Sequence, residues 1–310
     1  MLWMFIAFAA LLIFLLVVSG FCYRLVFYNA NIREHDPYVV PPGDQYAKVG
    51  DTILKSIAAL DALMYEQVNI TSHDGIRLSG RYYHFYDDAP LQIMFHGYRS
   101  CGLQDMCGGS MLARKNGCNV LLVDQRAHGK SGGHVITFGV EERYDCLSWT
   151  QYAIKRFGGN VKILFVGLSM GAATVLMASG LSLPKNVVGI IADCPYTSPG
   201  AIIRSVCRSM HLPSVIVYPF VLSGALIYGK FCIWKGDAVR AVANTKVPIL
   251  IFHGEDDRLV PWEMSRQICA ENSSMVTLVT IPEAGHGLSY MLDPAQYETS
   301  VEKFLHSIGI

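Results

Sequence analysis

A serine hydroxyl is a poor nucleophile until a base takes its proton, and a histidine steadied by a carboxylate can be that base. Three residues far apart in this 310-residue chain have the types for such a relay. Ser169 is the centre of Gly167-Leu168-Ser169-Met170-Gly171. Asp257, with Asp256 beside it, follows His253-Gly254, and His286 stands in Gly285-His286-Gly287. The serine needs a sharp turn with its Oγ exposed, so its flanks at Gly167 and Gly171 should be nearly free of side chain. The near-neutral pKa of histidine lets His286 accept a proton and return it. Asp257 would fix the imidazole tautomer and stabilise the imidazolium. Acyl transfer also develops an oxyanion, which needs donors already aimed at it. The backbone N–H of Met170, just after the serine, and that of Tyr98, behind His96-Gly97, are the candidates.

Elements must bring these residues together. Ile163 to Val166 is a short apolar run before Ser169, and a helical run follows from Ala172, a strand, turn and helix with serine at the apex. Glu66–Thr71 and Ile76–Phe85 flank the turn signal Asp74-Gly75 and read as a hairpin. Further apolar runs cover 91–95, 118–123, 187–192, 247–252 and 275–281. Helical stretches are expected at 46–64, 102–116, 141–157, 263–270 and 294–308. Strands alternate with helices and each later strand is continuously apolar, which predicts an α/β fold with a parallel sheet covered on both faces. Residues 200–239 break that rhythm. Val215 to Tyr228 is very apolar but short for a membrane span, and Pro219 and Gly224 argue against one straight helix. The segment is expected to form a small helical cap with apolar residues toward a substrate cleft. The alternative is a plain pair of core helices.

Composition excludes several classes. Lys plus Arg equals Asp plus Glu, so no basic excess is available for nucleic acid and no such partner is expected. No H-E-x-x-H spacing exists, and no cofactor or metal is expected. Gly129-Lys130-Ser131 resembles the tail of a phosphate-binding loop, but Asp124 stands where that loop needs glycine. The nine cysteines include no C-x-x-C pair and read as small buried residues in a reducing compartment. His253 is expected to support the Asp257 loop, and His128 and His134 to lie at the surface or behind the site.

Residues 1–22 are almost wholly apolar, enough to span a bilayer core. A cleaved signal would want a charged start and a shorter apolar run, so residues 1–23 read as an uncleaved transmembrane anchor. Arg24, Arg33, Lys48 and Lys55 follow it and no Lys or Arg precedes it, which places the bulk of the chain in the cytoplasm. Residues 24–65 then read as a connector with a helix.

The ordered motifs carry a resemblance. His96-Gly97, Asp124-x-Arg126-x-x-Gly129-x-Ser131, Gly167-x-Ser169-x-Gly171, His253-Gly254-x-x-Asp257-x-x-Val260-Pro261 and Gly285-His286 are similar to those of α/β-hydrolases, in particular the serine aminopeptidase and monoacylglycerol-lipase-like group. The similarity covers roughly residues 66–310, a single α/β-hydrolase domain with its cap at about 200–239. It implies an eight-stranded, mostly parallel sheet flanked by helices, whose first hairpin brings an antiparallel strand. It also implies a Ser169, Asp257, His286 triad, with Asp257 chosen over Asp256 because the acid falls four residues after the His of His-Gly. Ala127 departs from the pattern, since many relatives have glycine there. A serine at the elbow disfavours the branches whose nucleophile is cysteine or aspartate. The expected activity is a membrane-anchored serine hydrolase forming a covalent acyl-enzyme on a carboxylic ester or lipid-like small molecule. The alternatives are a peptidase or amidase on the same triad, for which Glu141-Glu142 is the available acidic support, and a non-catalytic membrane-tethered binding protein.

Overall fold

The computed structural model describes residues 1–30 and 36–310, so Arg33 of the basic series above lies outside the described residues. Eight strands form one sheet: β1 (Glu66–Thr71), β2 (Arg77–Tyr83), β3 (Leu91–Phe95), β4 (Asn119–Asp124), β5 (Ile163–Leu168), β6 (Val187–Asp193), β7 (Ile249–Gly254) and β8 (Val276–Ile281). Their order is β1-β2-β4-β3-β5-β6-β7-β8. β2 runs antiparallel to both β1 and β4, and every pairing from β4 to β8 is parallel.

Alternate residues of each central strand enter different cores. Ile93, Leu121, Phe165 and Ile251 join one apolar cluster, whereas Met94, Leu122, Leu164 and Leu250 join the other. Both faces of the sheet are therefore buried, which is why these strands are apolar without alternation. The helices are α1 (Leu2–Val26), α2 (Asp44–Ala47), α3 (Gly50–Asp61), α4 (Gly102–Asp105), α5 (Cys107–Lys115), α6 (Glu142–Phe157), α7 (Met170–Ala178), α8 (Pro199–Ser209), α9 (Ser214–Ile227), α10 (Ala238–Val242), α11 (Glu263–Glu271), α12 (Ser289–Leu292) and α13 (Pro294–Ser307). α6 and α7 pack with the first cluster, through Trp149 and Leu176. α3, α5 and α13 pack with the second, through Ile57, Leu112 and Phe304.

Three departures from the sequence reading have physical causes. The helix expected over 102–116 is two pieces, broken at Met106, whose φ of −111° and ψ of 10° leave the helical region. The apolar run 215–228 is a single helix, α9, and Pro219 does not end it. Proline here removes only the bond to the carbonyl of Val215, in the exposed first turn, where an open carbonyl is least costly. The stretch after α1 does not hang free. α3 seats Ile53, Ile57 and Leu60 in the second cluster, and Phe27 is fully buried in the first.

α1 is the one described helix long and apolar enough to cross a membrane, and its first fourteen residues are almost entirely uncovered by the rest of the chain. A core helix of that length would be buried.

Candidate active site

Ser169 joins β5 to α7 with φ 52° and ψ −110°, a strained conformation for a residue with a Cβ. Close packing forces it. A Cβ on Gly171 would overlap the carbonyl of Phe95, and one on Gly167 would overlap the backbone of Gly171. The strand, the turn and the helix thus touch backbone to backbone, and the serine is pushed out at the apex. Its amide donates to the carbonyl of Asp193 at 2.8 Å, which fixes the turn to β6.

His286 lies on the loop after β8, and its Nε2 is 2.9 Å from Ser169 Oγ. Its Nδ1 is 2.7 Å from Asp257 Oδ2, on the loop after β7. The other oxygen of Asp257 accepts from the amides of Leu259 (2.9 Å) and Val260 (2.8 Å). Burial alone would raise the Asp257 pKa, but His253, His286 and the Val260 amide outweigh it and hold the carboxyl well below its usual range. Burial disfavours the His286 imidazolium, yet the bond and charge of Asp257, with Asp193 and Asp105 behind it, leave the imidazole pKa raised. His253 is fully buried, with Nδ1 2.6 Å from Ser265 Oγ and Nε2 2.8 Å from the Val260 carbonyl, so it braces the Asp257 loop. Asp256 takes no part in the relay. The structure therefore brings Ser169, Asp257 and His286 into one hydrogen-bonded chain.

The loop after β3 closes over the nucleophile. A Cβ on Gly97 would lie 3.6 Å from that of Ser169. The Gly97 amide is taken by Asp105 Oδ2 at 2.6 Å, whereas the Tyr98 and Met170 amides donate to no acceptor among the described residues. Two unpaired N–H groups beside the serine are what an anionic oxygen requires.

The motif residues around 96 and 124–131 support the site. His96 Nε2 accepts from the Gln125 amide at 3.1 Å, and His128 Nε2 accepts from the Arg99 amide at 3.0 Å. The 124–133 loop thereby holds the loop after β3 that carries Tyr98. Arg126 anchors that loop in turn, with a fork onto Asp145 (2.7 and 2.7 Å) and a second contact to Asp74 (2.9 Å). Ala127 takes φ 60°, the left-handed conformation that explains glycine in relatives. Gly129 and Ser131 close back on Asp124, so this turn cradles a carboxylate of its own chain. Tyr46 of α2 donates its hydroxyl to the His286 carbonyl at 2.8 Å, and burial, then Cys194, Asp257 and Asp105, raise its pKa so that it stays a donor.

Asp193 is buried and pushed up to about 6 by desolvation, with Ser289 Oγ donating to it at 2.8 Å. Ligand atoms of Cys194, Asp257 and His286 lie within 4.8 Å of one another. Asp257 and His286 are already bonded to each other, and burial holds Cys194 as a thiol, so the trio does not fit a metal. Glu142, half of the acidic pair above, is buried and accepts from Thr137 and Gly139, which occupies it within its own loop.

Comparison with known proteins follows the same lines. A model of the alpha/beta hydrolase family matches residues 93–299. The Bacillus subtilis (strain 168) uncharacterized protein YqkD is 25% identical over 194 residues, 62% of this chain and 64% of that protein. Human protein ABHD12B is 26% identical over 181 residues, 54% of this chain and 46% of that one. Among solved structures, the Pyrococcus furiosus esterase Pf2001 superposes with a TM-score of 0.66 at 26% identity, covering 82% of this chain and 93% of the esterase. Est1E from Butyrivibrio proteoclasticus, with ferulic acid bound, gives a TM-score of 0.57 at 21% identity over 79% of this chain and 98% of that one, a likeness of fold.

Proposed function

Because the chain belongs to the alpha/beta hydrolase family, we propose that it is a membrane-anchored serine hydrolase acting on carboxylic esters with an apolar acyl or alcohol part. One observation carries this reading: a single imidazole lies 2.9 Å from Ser169 Oγ and 2.7 Å from Asp257 Oδ2. Ser169 Oγ attacks the ester carbonyl while His286 Nε2 takes its proton. Asp257 stabilises the imidazolium so formed. The Tyr98 and Met170 amides receive the oxyanion. His286 then protonates the departing alkoxide, leaving an acyl group on Ser169. A water deprotonated by the same nitrogen attacks that acyl group, and the acid leaves as Ser169 regains its proton.

The likeness to the Pyrococcus esterase supports the choice of ester over amide. The internal use of Glu142 also weighs against a peptidase, which would need free acidic groups to receive a substrate amino terminus. α1 is the anchor, with the hydrolase domain on the cytoplasmic side by the charges of Arg24, Lys48 and Lys55. α8 and α9 are the cap of this domain. Ser169→Ala should abolish both labelling by a fluorophosphonate probe and turnover of p-nitrophenyl esters. Unchanged turnover in that variant would overturn the assignment.

A further inference from the structure

A surface helix normally turns its polar side outward. α9 does the reverse. It contains no charged residue, and its uncovered side carries Val215, Ile216, Pro219, Leu226 and Ile227. At 100° per residue these five fall within one arc of about 120°, an apolar stripe interrupted only by Ser223, whose hydroxyl turns back onto the Pro219 carbonyl at 2.8 Å. Val215 is 87% exposed and Ile216 61%. Met210 and Leu212 before the helix, and Trp234 after it, are also exposed.

The other side of α9 lies along α1. A Cβ on Gly224 would fall 2.6 Å from the Ser19 carbonyl oxygen, so the backbones approach closely. Tyr228 donates its hydroxyl to the Leu16 carbonyl at 2.9 Å, and its ring stacks on Tyr23. Gly224 thus sits level with Ser19 and Tyr23, and Tyr228 with Leu16 and Gly20. The two helices run antiparallel, and the exposed stripe continues the apolar surface of α1. A bilayer core of ~30 Å takes up about 20 residues of α1. Counted from Leu2, that span includes Leu16 and Gly20, so residues level with them lie inside the leaflet nearest the hydrolase domain. Charge agrees with a lipid surface. No Asp or Glu occurs between Asp193 and Asp237, while Arg204, Arg208, Lys230 and Lys235 do. Cations flanking an apolar segment match anionic headgroups, and an exposed tryptophan matches the interface.

We propose that the C-terminal turns of α9, from Gly224 to Tyr228, are a second bilayer-embedded element seated beside α1 in the near leaflet, with the lipid bilayer as the occupant of the apolar surface of Leu226 and Ile227, while Val215 and Ile216 lie on the headgroup side. At about 21 Å the whole of α9 is too short to span, so it enters one leaflet only. Membrane contact at α9 brings the membrane surface to the oxyanion loop. Tyr98 donates its hydroxyl to the Val26 carbonyl at 2.8 Å, and Arg99 donates to Leu25 (2.8 Å) and Tyr28 (3.0 Å), so that loop grips the base of α1.

The proposal rests on reading α1 as a membrane span, and one experiment separates the two. The full chain, with Trp3 and Trp234 replaced by Phe and the emission of the retained Trp149 and Trp262 subtracted as background, is reconstituted in phosphatidylcholine and phosphatidylglycerol vesicles. Single tryptophans are introduced as Ile216→Trp, Ile227→Trp, Phe8→Trp within α1, or Met64→Trp on an exposed turn. All four positions are exposed, so the fold is not put at risk. Quenching by brominated phosphatidylcholine is then read. The expected result is fluorescence loss at 227 as at 8, less at 216, and none at 64. Loss at 8 but not at 227 overturns the proposal and leaves the span standing. Loss at none of the three removes the span, and the proposal with it.

Discussion

At the scale of single residues, the candidate site is a set of competing electrostatic demands. Asp257 is buried, which alone would keep it protonated, yet two amides and an imidazole favour its charge more strongly. Its charge in turn raises the His286 pKa. The base form of His286 is the neutral one, so kcat/KM should rise with pH through one ionisation lying above the usual imidazole value of about 6.5. Asp257→Asn removes the negative partner and the favourable bond to the imidazolium. The sign follows: the ionisation moves to lower pH, because the charged form has lost its stabilisation. Turnover at the plateau should also fall by roughly 10³–10⁴, since an amide no longer selects the productive tautomer. A pH series of ester hydrolysis on both forms checks this, and an unshifted acid limb in the variant would contradict it.

At the scale of elements, the fold's work is to deliver side chains from separate loops to one point, and loop shape depends on buried polar contacts. Arg126 is the clearest case. Its guanidinium is buried and forks onto Asp145 while reaching Asp74, tying α6 and the β1–β2 turn to the 124–133 loop. Arg126→Ala leaves Asp145 buried without its cation, which should cost about 3–5 kcal/mol. Urea unfolding of the two forms measures the loss. Arg126→Lys should recover only part of it, because an ammonium cannot form the fork. The consequence should reach turnover, since this loop carries Gln125 and His128, which hold the oxyanion loop. Such contacts also mark the boundary of what was legible in the sequence. The alternation of apolar runs, and the small residues around Ser169, are local patterns with local causes. They specified the parallel sheet and its tight strand–turn–helix from neighbouring residues alone. Tyr46 is different. Its partner lies 240 residues away, its helix is four residues long, and an isolated tyrosine has no periodicity to betray a role. Asp105 was hidden for the same reason, meaningful only once the 96–100 loop has been placed against it. Pro219 misled because a proline cost read from sequence assumes a buried carbonyl partner, and the carbonyl it frees stands in an exposed turn.

At the scale of the whole molecule, α1 and the hydrolase domain are not separable at the point where the apolar sequence ends. Residues 2–15 of α1 touch almost nothing else in the chain. From Leu16 onward the picture changes. Tyr228 grips Leu16, the last turn is held by Tyr98 and Arg99, and Phe27 is fully buried with its ring edge-on to Phe138 and Phe231. The backbone after it is bonded to the chain at 134–136, through Ile136 N to the Phe27 carbonyl and Asn29 N to the His134 carbonyl, both 2.8 Å. Two truncations should therefore behave differently in detergent. Removing residues 2–15 takes away free helix and should leave the melting temperature and the turnover of a soluble short-chain ester close to those of the full chain. Removing residues 2–29 also deletes Phe27 and leaves two loop side chains without their acceptors. Loss of a buried phenyl ring costs about 3–5 kcal/mol, and the single variant Phe27→Ala should reproduce that share. The oxyanion loop loses its grip at the same time, so turnover should fall more than stability alone accounts for when assayed well below the melting transition. Thermal unfolding of both truncations beside Phe27→Ala, with ester turnover measured on each, decides the matter. Equal melting temperatures and equal turnover for the two truncations would mean that the base of α1 is a passive tether after all.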